Sequence, residues 1–143
     1  MRVVVDSNIL LVSISRRSKH HPIFQAILNG KTILCISNSI LEEYEEKIGE
    51  HWSPIVANNT VETLIKSPYV LRFDPRYNWV LIAADPDDDK FADCAVAANV
   101  SYLVTNDHHF DVLKQMPFPP FNIISGDDFL DLLLNTEGVS SSI

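Results

Sequence analysis

Four acidic residues of this chain each stand beside an apolar run, and their side chains are the ones best suited to chemistry. They are Asp6 in VVVDSN, Glu43 in SILEEY, Asp89 in DDDKFADCAVAA and Asp107 in YLVTND. Carboxylates that close to a core cost free energy unless a partner compensates their charge. Several carboxylates brought together from distant parts of a chain make a site for a divalent metal ion. The sequence therefore predicts an acidic metal site.

Two of these acids follow segments with the pattern of buried strands. Arg2–Val5 is a β-branched run that ends directly before Asp6, and the short strand Tyr102–Val104 ends close to Asp107. Strands alternate with helices along the chain, which predicts the α/β class with a parallel sheet covered by helices on both faces. Ligand sites of such folds lie beyond the carboxyl ends of the strands. We therefore expect Asp6 and Asp107 to meet at that edge.

The remaining elements are predicted from apolar spacing, caps and breakers. Further strands are predicted at Thr32–Ile36, Tyr69–Phe73 and Phe121–Ile124, and Tyr77–Ala84 fits either a strand or a loop. Helices are predicted at Ser7–Ser15, from Pro22 to just before Gly30, from Ser53 to Lys66, and over Asp88–Ala98, His109–Gln115 and Ser125–Leu134. Another is predicted to run to about Ile48 from an N-cap at Ser39, because Ser39 and Glu42 have capping-box spacing. Residues 1–134 are expected to form a single domain, and the polar segment 135–143 a flexible tail.

The helix that begins near Asp88 carries two acids on one face. Asp89 and Asp93 are four residues apart, so their side chains are neighbours beside the apolar stripe. Like charges at that spacing repel each other. The pair is tolerable on a solvated face, or useful if a cation lies between the two carboxylates. Asp85 and Asp87, like Asp88, are most simply turn and cap residues.

Charge and composition narrow the possible functions. The net charge of −8 argues against a protein that coats nucleic acid by static charge. One local basic stretch could still hold a phosphate backbone, although a solvated loop explains it equally well. That stretch contains Arg16, Arg17, Lys19, His20 and His21. The two histidine pairs, His20–His21 and His108–His109, are expected to be surface residues.

Cysteine use and hydropathy indicate a cytoplasmic protein. Cys35 and Cys94 lie in apolar patterns without CxxC spacing, so they are expected to be reduced core thiols. The apolar N-terminal run is broken by Asp6 and its two polar successors, and no cleavage site for a secretory signal follows. No stretch is apolar over the roughly 18 residues that a membrane span needs.

Three blocks of the sequence resemble the PIN domain family, in particular its subgroup described as toxin components of toxin–antitoxin pairs. The blocks are VVVDSNILLVS, SNSILEEYEEKI and DPDDDKFADCAVAANVSYLVTNDHHF, and with the final FNIIS strand the resemblance spans nearly the whole chain. The third block is the most specific. Asn99 stands where relatives often have Gly at the end of a helix, and Asn tolerates that backbone conformation as well.

The resemblance implies a three-layer α/β/α sandwich with a mainly parallel sheet, and a Mg²⁺- or Mn²⁺-dependent endoribonuclease. By motif position the family's acidic quartet falls on Asp6, Glu43, Asp89 and Asp107. Asp89 is preferred over its acidic neighbours because it lies sixteen residues before Thr105, as in the family. Asp93 matches as an accessory metal ligand, and Asn8 and Thr105 match supporting positions. The resemblance also implies an RNA substrate and, among possible partners, a cognate antitoxin or a second copy of the chain.

Two hypotheses remain open at the level of the sequence. In the first, metal ions activate water at the acids while Arg16, Arg17 and Lys19 hold the RNA backbone. In the second, the chain is a non-catalytic PIN-fold binding module that acts through a protein partner. A receiver-like phosphoacceptor domain is excluded, because the first strand lacks an acid pair and no Lys follows a late strand.

Overall fold

The computed structural model describes residues 1–74, 89–115 and 121–141. These residues form one parallel sheet. Its strands are β1 (Arg2–Val5), β2 (Ile33–Ile36), β3 (Val70–Arg72), β4 (Tyr102–Val104) and β5 (Asn122–Ile124). Their order across the sheet is β3-β2-β1-β4-β5, and every neighbouring pair is parallel.

Helices connect these strands and follow the last one. They are α1 (Ser7–Ser13), α2 (His21–Leu28), α3 (Asn38–His51), α4 (Pro54–Lys66), α5 (Asp89–Ala98) and α6 (Gly126–Ser141), with a 3-10 helix at His108–Gln115. Successive strands first add on one side of β1 and then, from β4 onward, on the other. Because parallel crossovers are right-handed, this reversal places α5 on the opposite face from α1 to α4. The fold is the predicted three-layer α/β/α sandwich.

The central strand β1 explains why the sheet is stable in this arrangement. Val3, Val4 and Val5 are all fully buried, because helices cover both faces of the sheet. Such a strand requires an uninterrupted β-branched run. The observed strand confirms the sequence prediction for this segment. The chain therefore leaves the sheet at Asp6, directly beyond the carboxyl end of β1.

Helix α3 begins two residues earlier than predicted. Its cap is Ser37, whose hydroxyl oxygen accepts the backbone N–H of Ile40 at 3.2 Å. The prediction of Ser39 as the cap was wrong, since Ser39 is an exposed residue inside the helix. The helix also runs to His51, beyond the expected end near Ile48. The earlier start follows directly from β2, which ends one residue before the cap.

Several other boundaries and segments can be compared with the sequence predictions. Helix α6 continues to Ser141, past the expected end at Leu134. Asn99 has a φ of 50°, which confirms the left-handed end expected for α5. The ambiguous segment Tyr77–Ala84 lies outside the described residues, as do the turn and cap acids of the Asp85–Asp88 run.

Cys35 and Cys94 are buried free thiols, in agreement with the sequence prediction. Burial raises the pKa of the Cys35 thiol to about 11 and that of Cys94 further still. Both side chains thus act as small apolar core groups. Over the described parts of the chain, no helix combines the length and apolarity that a membrane crossing requires.

Candidate active site

The candidate site lies where the order of strand addition reverses. Asp6 follows β1 and Thr105 follows β4, and these two strands are neighbours in the sheet. The backbone N–H of Asp6 donates to the carbonyl oxygen of Val104 at 3.0 Å, which fixes the two strand ends side by side. In open α/β sheets such a reversal leaves a crevice at the carboxyl ends of the strands. The fold therefore places the first acid and the TND segment at the expected location of a ligand site.

Asp6 is a buried carboxylate whose two oxygens both accept hydrogen bonds. One oxygen caps α1 by accepting the N–H of Ile9 at 3.0 Å, and the other accepts the hydroxyl of Thr105. Only 5% of the residue is exposed. Burial raises its pKa, and the negative charge of Asp107 raises it further, while the hydrogen bonds oppose the shift. In the described part of the chain no Lys or Arg pairs with Asp6, so its charge is poorly compensated.

Thr105 joins this carboxylate to the next one along the edge. Its hydroxyl donates to Asp6 and its oxygen accepts the backbone N–H of Asp107 at 3.0 Å. A carboxylate oxygen of Asp107 accepts the N–H of His109 at 2.9 Å. Asn106 in turn accepts the N–H of Gly126 at 3.0 Å, which ties the loop to the start of α6. The loop after β4 is thus held in place by hydrogen bonds on both sides.

Glu43 lies on the side of α3 that faces the site. Its side chain is 14% exposed, whereas the neighbouring Glu42 is open to solvent. One carboxylate oxygen accepts the hydroxyl of Ser7, and the other lies 3.0 Å from the ammonium group of Lys90. Sequence reasoning missed both partners, although each directly follows a predicted site acid, Asp6 or Asp89. That adjacency was the only available signal.

Tyr44 fixes α3 against the end of β1. Its hydroxyl donates to the carbonyl oxygen of Val5 at 2.5 Å, and the side chain is fully buried. Burial raises the pKa of Tyr44 well above its ordinary value, and the charges of nearby Asp6 and Glu43 act in the same direction. The hydroxyl therefore remains a protonated donor. This contact helps to set the distance between Glu43 and the strand that carries Asp6.

The two acids of α5 differ in their surroundings. Asp89 is the first residue of the helix and is half-buried, whereas Asp93 is only 4% exposed. The alternative that Asp93 is an ordinary solvated acid is therefore wrong, because the helix face that carries it packs into the molecule. Both carboxylates take part in interactions with other groups. Their roles as metal ligands stay predictions.

The predicted supporting and backbone-binding residues differ in their exposure and contacts. Asn8 is an exposed residue in the first turn of α1, and its backbone contributes a hydrogen bond to Asp6. Arg16 and Arg17 are exposed between α1 and α2, and neither forms an ion pair with any described residue. Lys19 differs, since its ammonium group lies 3.2 Å from Asp127. Of the Lys and Arg residues in this stretch, the two arginines are thus the ones without an ion pair to a described residue.

His20 anchors the basic stretch to α6. Its ring Nε2 lies 2.9 Å from a carboxylate oxygen of Asp127, and the ring packs against Gly126. The His20 side chain is mostly buried, so its prediction as a plain surface residue was wrong. His108 and His109 are exposed, as predicted. The contact with Gly126 brings the basic stretch to the same edge of the sheet as the acids.

A model of the PIN domain family matches residues 2–109, about three quarters of the chain. The chain belongs to the PIN domain family. No curated protein sequence matches this PIN domain significantly.

Solved structures show the same fold at low identity. VapBC2 from Rickettsia felis, bound to a DNA fragment from its promoter, is 17% identical with a TM-score of 0.61, covering 87% of this chain and 98% of its own. DNA-bound VapBC from Salmonella typhimurium is 20% identical with a TM-score of 0.58, covering 88% and 98%. The PIN domain endonuclease Utp24 is 20% identical with a TM-score of 0.53, covering 87% and 84%.

PIN domains are generally nucleases that use divalent metals. The side chains at this site can therefore be tested for whether they suit such an ion. The chemistry fits, because carboxylates are hard oxygen ligands and no cation among the described residues pairs with the buried Asp6. Within the described residues, however, no three His, Cys, Asp or Glu side chains are gathered closely enough to hold a metal. Glu43 is bound to Lys90, and Asp107 to the N–H of His109. The convergence of all four acids stays a prediction.

Proposed function

We propose that this PIN domain is a Mg²⁺- or Mn²⁺-dependent endoribonuclease and the toxin of a toxin–antitoxin pair. The observation that carries the proposal is the Asp6 carboxylate, which is buried beyond β1, lies close to the charge of Asp107 and is not ion-paired to any described residue. A protein that used Asp6 only as a helix cap would not need a second acid beside it. This arrangement favours a cation, and nucleases of this family use one.

Each residue of the site has a defined task in this proposal. Asp6 and Asp107 would be the central ligands, with Thr105 holding their relative positions through its two hydrogen bonds. Glu43 and Asp89 would complete the acidic set, and Asp93 would assist from the next turn of α5. When bound, a divalent ion supplies an activated water and neutralises charge on the scissile phosphate.

The substrate would be held by the basic stretch between α1 and α2. Arg16 and Arg17 can contact phosphates bidentately because they are exposed and not ion-paired to a described residue. Lys19 would contribute less, since Asp127 already compensates its charge. The choice of RNA over DNA rests on the resemblance to ribonucleases of this family.

The partners are proposed from the comparisons. VapBC complexes are toxin–antitoxin assemblies, and their likeness to this chain supports an antitoxin as the cognate partner. Homodimerisation is proposed from the resemblance alone. We place the protein in the cytoplasm because its two buried thiols are free.

The test is cleavage of single-stranded RNA with Mn²⁺ or Mg²⁺, compared between the wild type and Asp6→Asn. We expect metal-dependent cleavage that falls by at least about a hundredfold in the variant, the scale of losing a group that stabilises the transition state. The matched control is Asp131→Asn, an exposed acid on α6 that should leave the rate unchanged. A DNA strand of the same sequence tests the sugar preference. Equal inactivity of all three proteins on varied RNAs would overturn the proposal.

The second candidate, a non-catalytic PIN-fold binding module, is favoured by one observation. Glu43 is already engaged by Lys90, as it would be in a protein that had replaced its metal with an internal cation. The two candidates differ in metal binding. Calorimetry that shows no uptake of Mn²⁺, together with inhibition of growth in cells, would favour the binding module.

A further inference from the structure

The ion pair between Lys90 and Glu43 is shielded from solvent. The ammonium nitrogen lies 3.0 Å from the carboxylate oxygen, with side chains 24% and 14% exposed. The Lys66–Glu62 pair is as close, at 2.7 Å, but its side chains are 73% and 54% exposed. Water screens the second pair strongly and the first much less. The Lys90 charge therefore acts on Glu43 with less attenuation than the Lys66 charge on Glu62.

Both oxygens of Glu43 are occupied in this state. Ser7 donates to one and Lys90 to the other. Ser7 directly follows Asp6, and Lys90 directly follows Asp89. These two contacts thus join the middle of α3 to the starts of α1 and α5, at the place where the acids would have to meet.

We propose that Lys90 is a positioning residue that holds Glu43 in the metal-free protein and competes with the divalent ion for its carboxylate. The inference rests on the proposed function and deepens it. A metal ion that binds Glu43 through this oxygen meets the like charge of the ammonium group, and this repulsion favours departure of Lys90. Lys90 is then released from α3, and its charge becomes available at the rim of the site.

Electrostatics gives a reason for such an arrangement. An acidic set without a cation is repulsive, and a shielded carboxylate without a partner is costly. A lysine in the same chain relieves that cost while the metal is absent.

The first test measures Mn²⁺ affinity by calorimetry in the full-length wild type and in Lys90→Met, which keeps the length of the side chain. We expect the variant to bind Mn²⁺ roughly tenfold more tightly, a change of about 1.4 kcal/mol, and to melt at a lower temperature without metal. Lys90→Arg keeps the charge and should stay near the wild type. Lys66→Met removes an exposed ion pair as the matched control and should leave the affinity unchanged. Equal or weaker Mn²⁺ binding by Lys90→Met overturns the inference.

A second measurement needs only the wild type, in case Lys90→Met does not fold. An amine-reactive reagent labels the lysines with and without Mn²⁺, and mass spectrometry quantifies each site. We expect Mn²⁺ to increase labelling of Lys90 several-fold and to leave Lys66 unchanged. Unchanged or reduced labelling of Lys90 in the presence of bound Mn²⁺ overturns the competition.

The outcomes separate this inference from the proposed function. If the wild type cleaves RNA and binds Mn²⁺ as tightly as Lys90→Met does, the proposed function stands and the inference fails. Binding of Mn²⁺ by Lys90→Met alone supports the inference and shows that the lysine excludes the ion in the wild type. If neither protein binds Mn²⁺, the inference and the proposed function both fail.

Discussion

At the scale of single residues, Asp6 combines two roles that pull in opposite directions. As a cap it stabilises α1 through its bond to the N–H of Ile9. As a buried charge near Asp107 it destabilises the metal-free fold, and its raised pKa expresses that cost. Active sites commonly retain groups that reduce stability because the same groups are needed for function.

Replacing Asp6 by Asn should stabilise the metal-free protein at neutral pH, because the amide keeps the cap and removes the charge. Its oxygen can still accept from Ile9, and its NH₂ can donate to Thr105. We expect a gain on the order of 1 kcal/mol, the usual scale of single substitutions. Urea denaturation in a chelating buffer measures this difference in the free energy of unfolding.

The pH dependence of this gain has a defined sign. The pKa of Asp6 lies above its ordinary value of 3.8 in the folded protein, so the folded state holds this proton more tightly than the unfolded chain. Stability is therefore lost as pH rises from about 3.8 through the folded pKa, and Asn avoids that loss. The advantage of the variant should vanish below pH 3.8. An Asn variant that is less stable at neutral pH would contradict the reasoning.

Sequence patterns could identify single acids but not their partners. A β-branched run ending at Asp6, and the TND segment after the last central strand, placed two carboxylates at the sheet edge from local order alone. The contact between Lys90 and Glu43 joins residues 47 positions apart, and no periodicity encodes it. It depends on how α5 meets α3, which only packing of the whole chain determines.

At the scale of elements, the start of α3 shows the limit of cap prediction. Ser37 and Ser39 both have the side chain for an N-cap, and Ser39 also has a Glu three residues later. The deciding factor is the end of β2 at Ile36, which leaves Ser37 with the extended backbone that a cap needs. The strand boundary is a property of sheet pairing, so the local signal alone favours the wrong serine.

The two serines give a matched pair of substitutions. Ser37→Ala removes the acceptor for the N–H of Ile40 and should cost about 1 kcal/mol. Ser39→Ala replaces an exposed residue inside the helix and should be neutral or slightly stabilising, because Ala has the higher helix propensity. Urea denaturation of both variants measures the difference. A larger loss for Ser39→Ala than for Ser37→Ala would support the capping box that the sequence suggested.

At the scale of the whole molecule, charge distribution decides how an acidic protein could hold RNA. The net charge is −8, so the average field repels a polyanion. Arg16 and Arg17, which form no ion pair with a described residue, lie in the stretch that packs on α6 at the carboxyl edge of the sheet. RNA binding should therefore come from a small number of local phosphate contacts. Its affinity should depend on salt less strongly than that of a nucleic-acid-binding protein with many phosphate contacts.

The salt dependence of RNA binding can test this distribution in an Asp6→Asn background, where the RNA stays intact. Changing Arg16 and Arg17 together to Ala should weaken binding and flatten the plot of log affinity against log salt by about 1.4, since each contact with single-stranded nucleic acid contributes roughly 0.7. The matched control changes Lys47 and Lys66 to Ala. It lowers the net charge by the same amount on α3 and α4, and Lys66 lies at the opposite, amino edge of the sheet, where α4 ends. If net charge governed binding, both double variants would weaken it equally and local placement would be irrelevant. A flattened slope for the arginine pair alone would instead show that position at the sheet edge, and not total charge, determines how this molecule meets RNA.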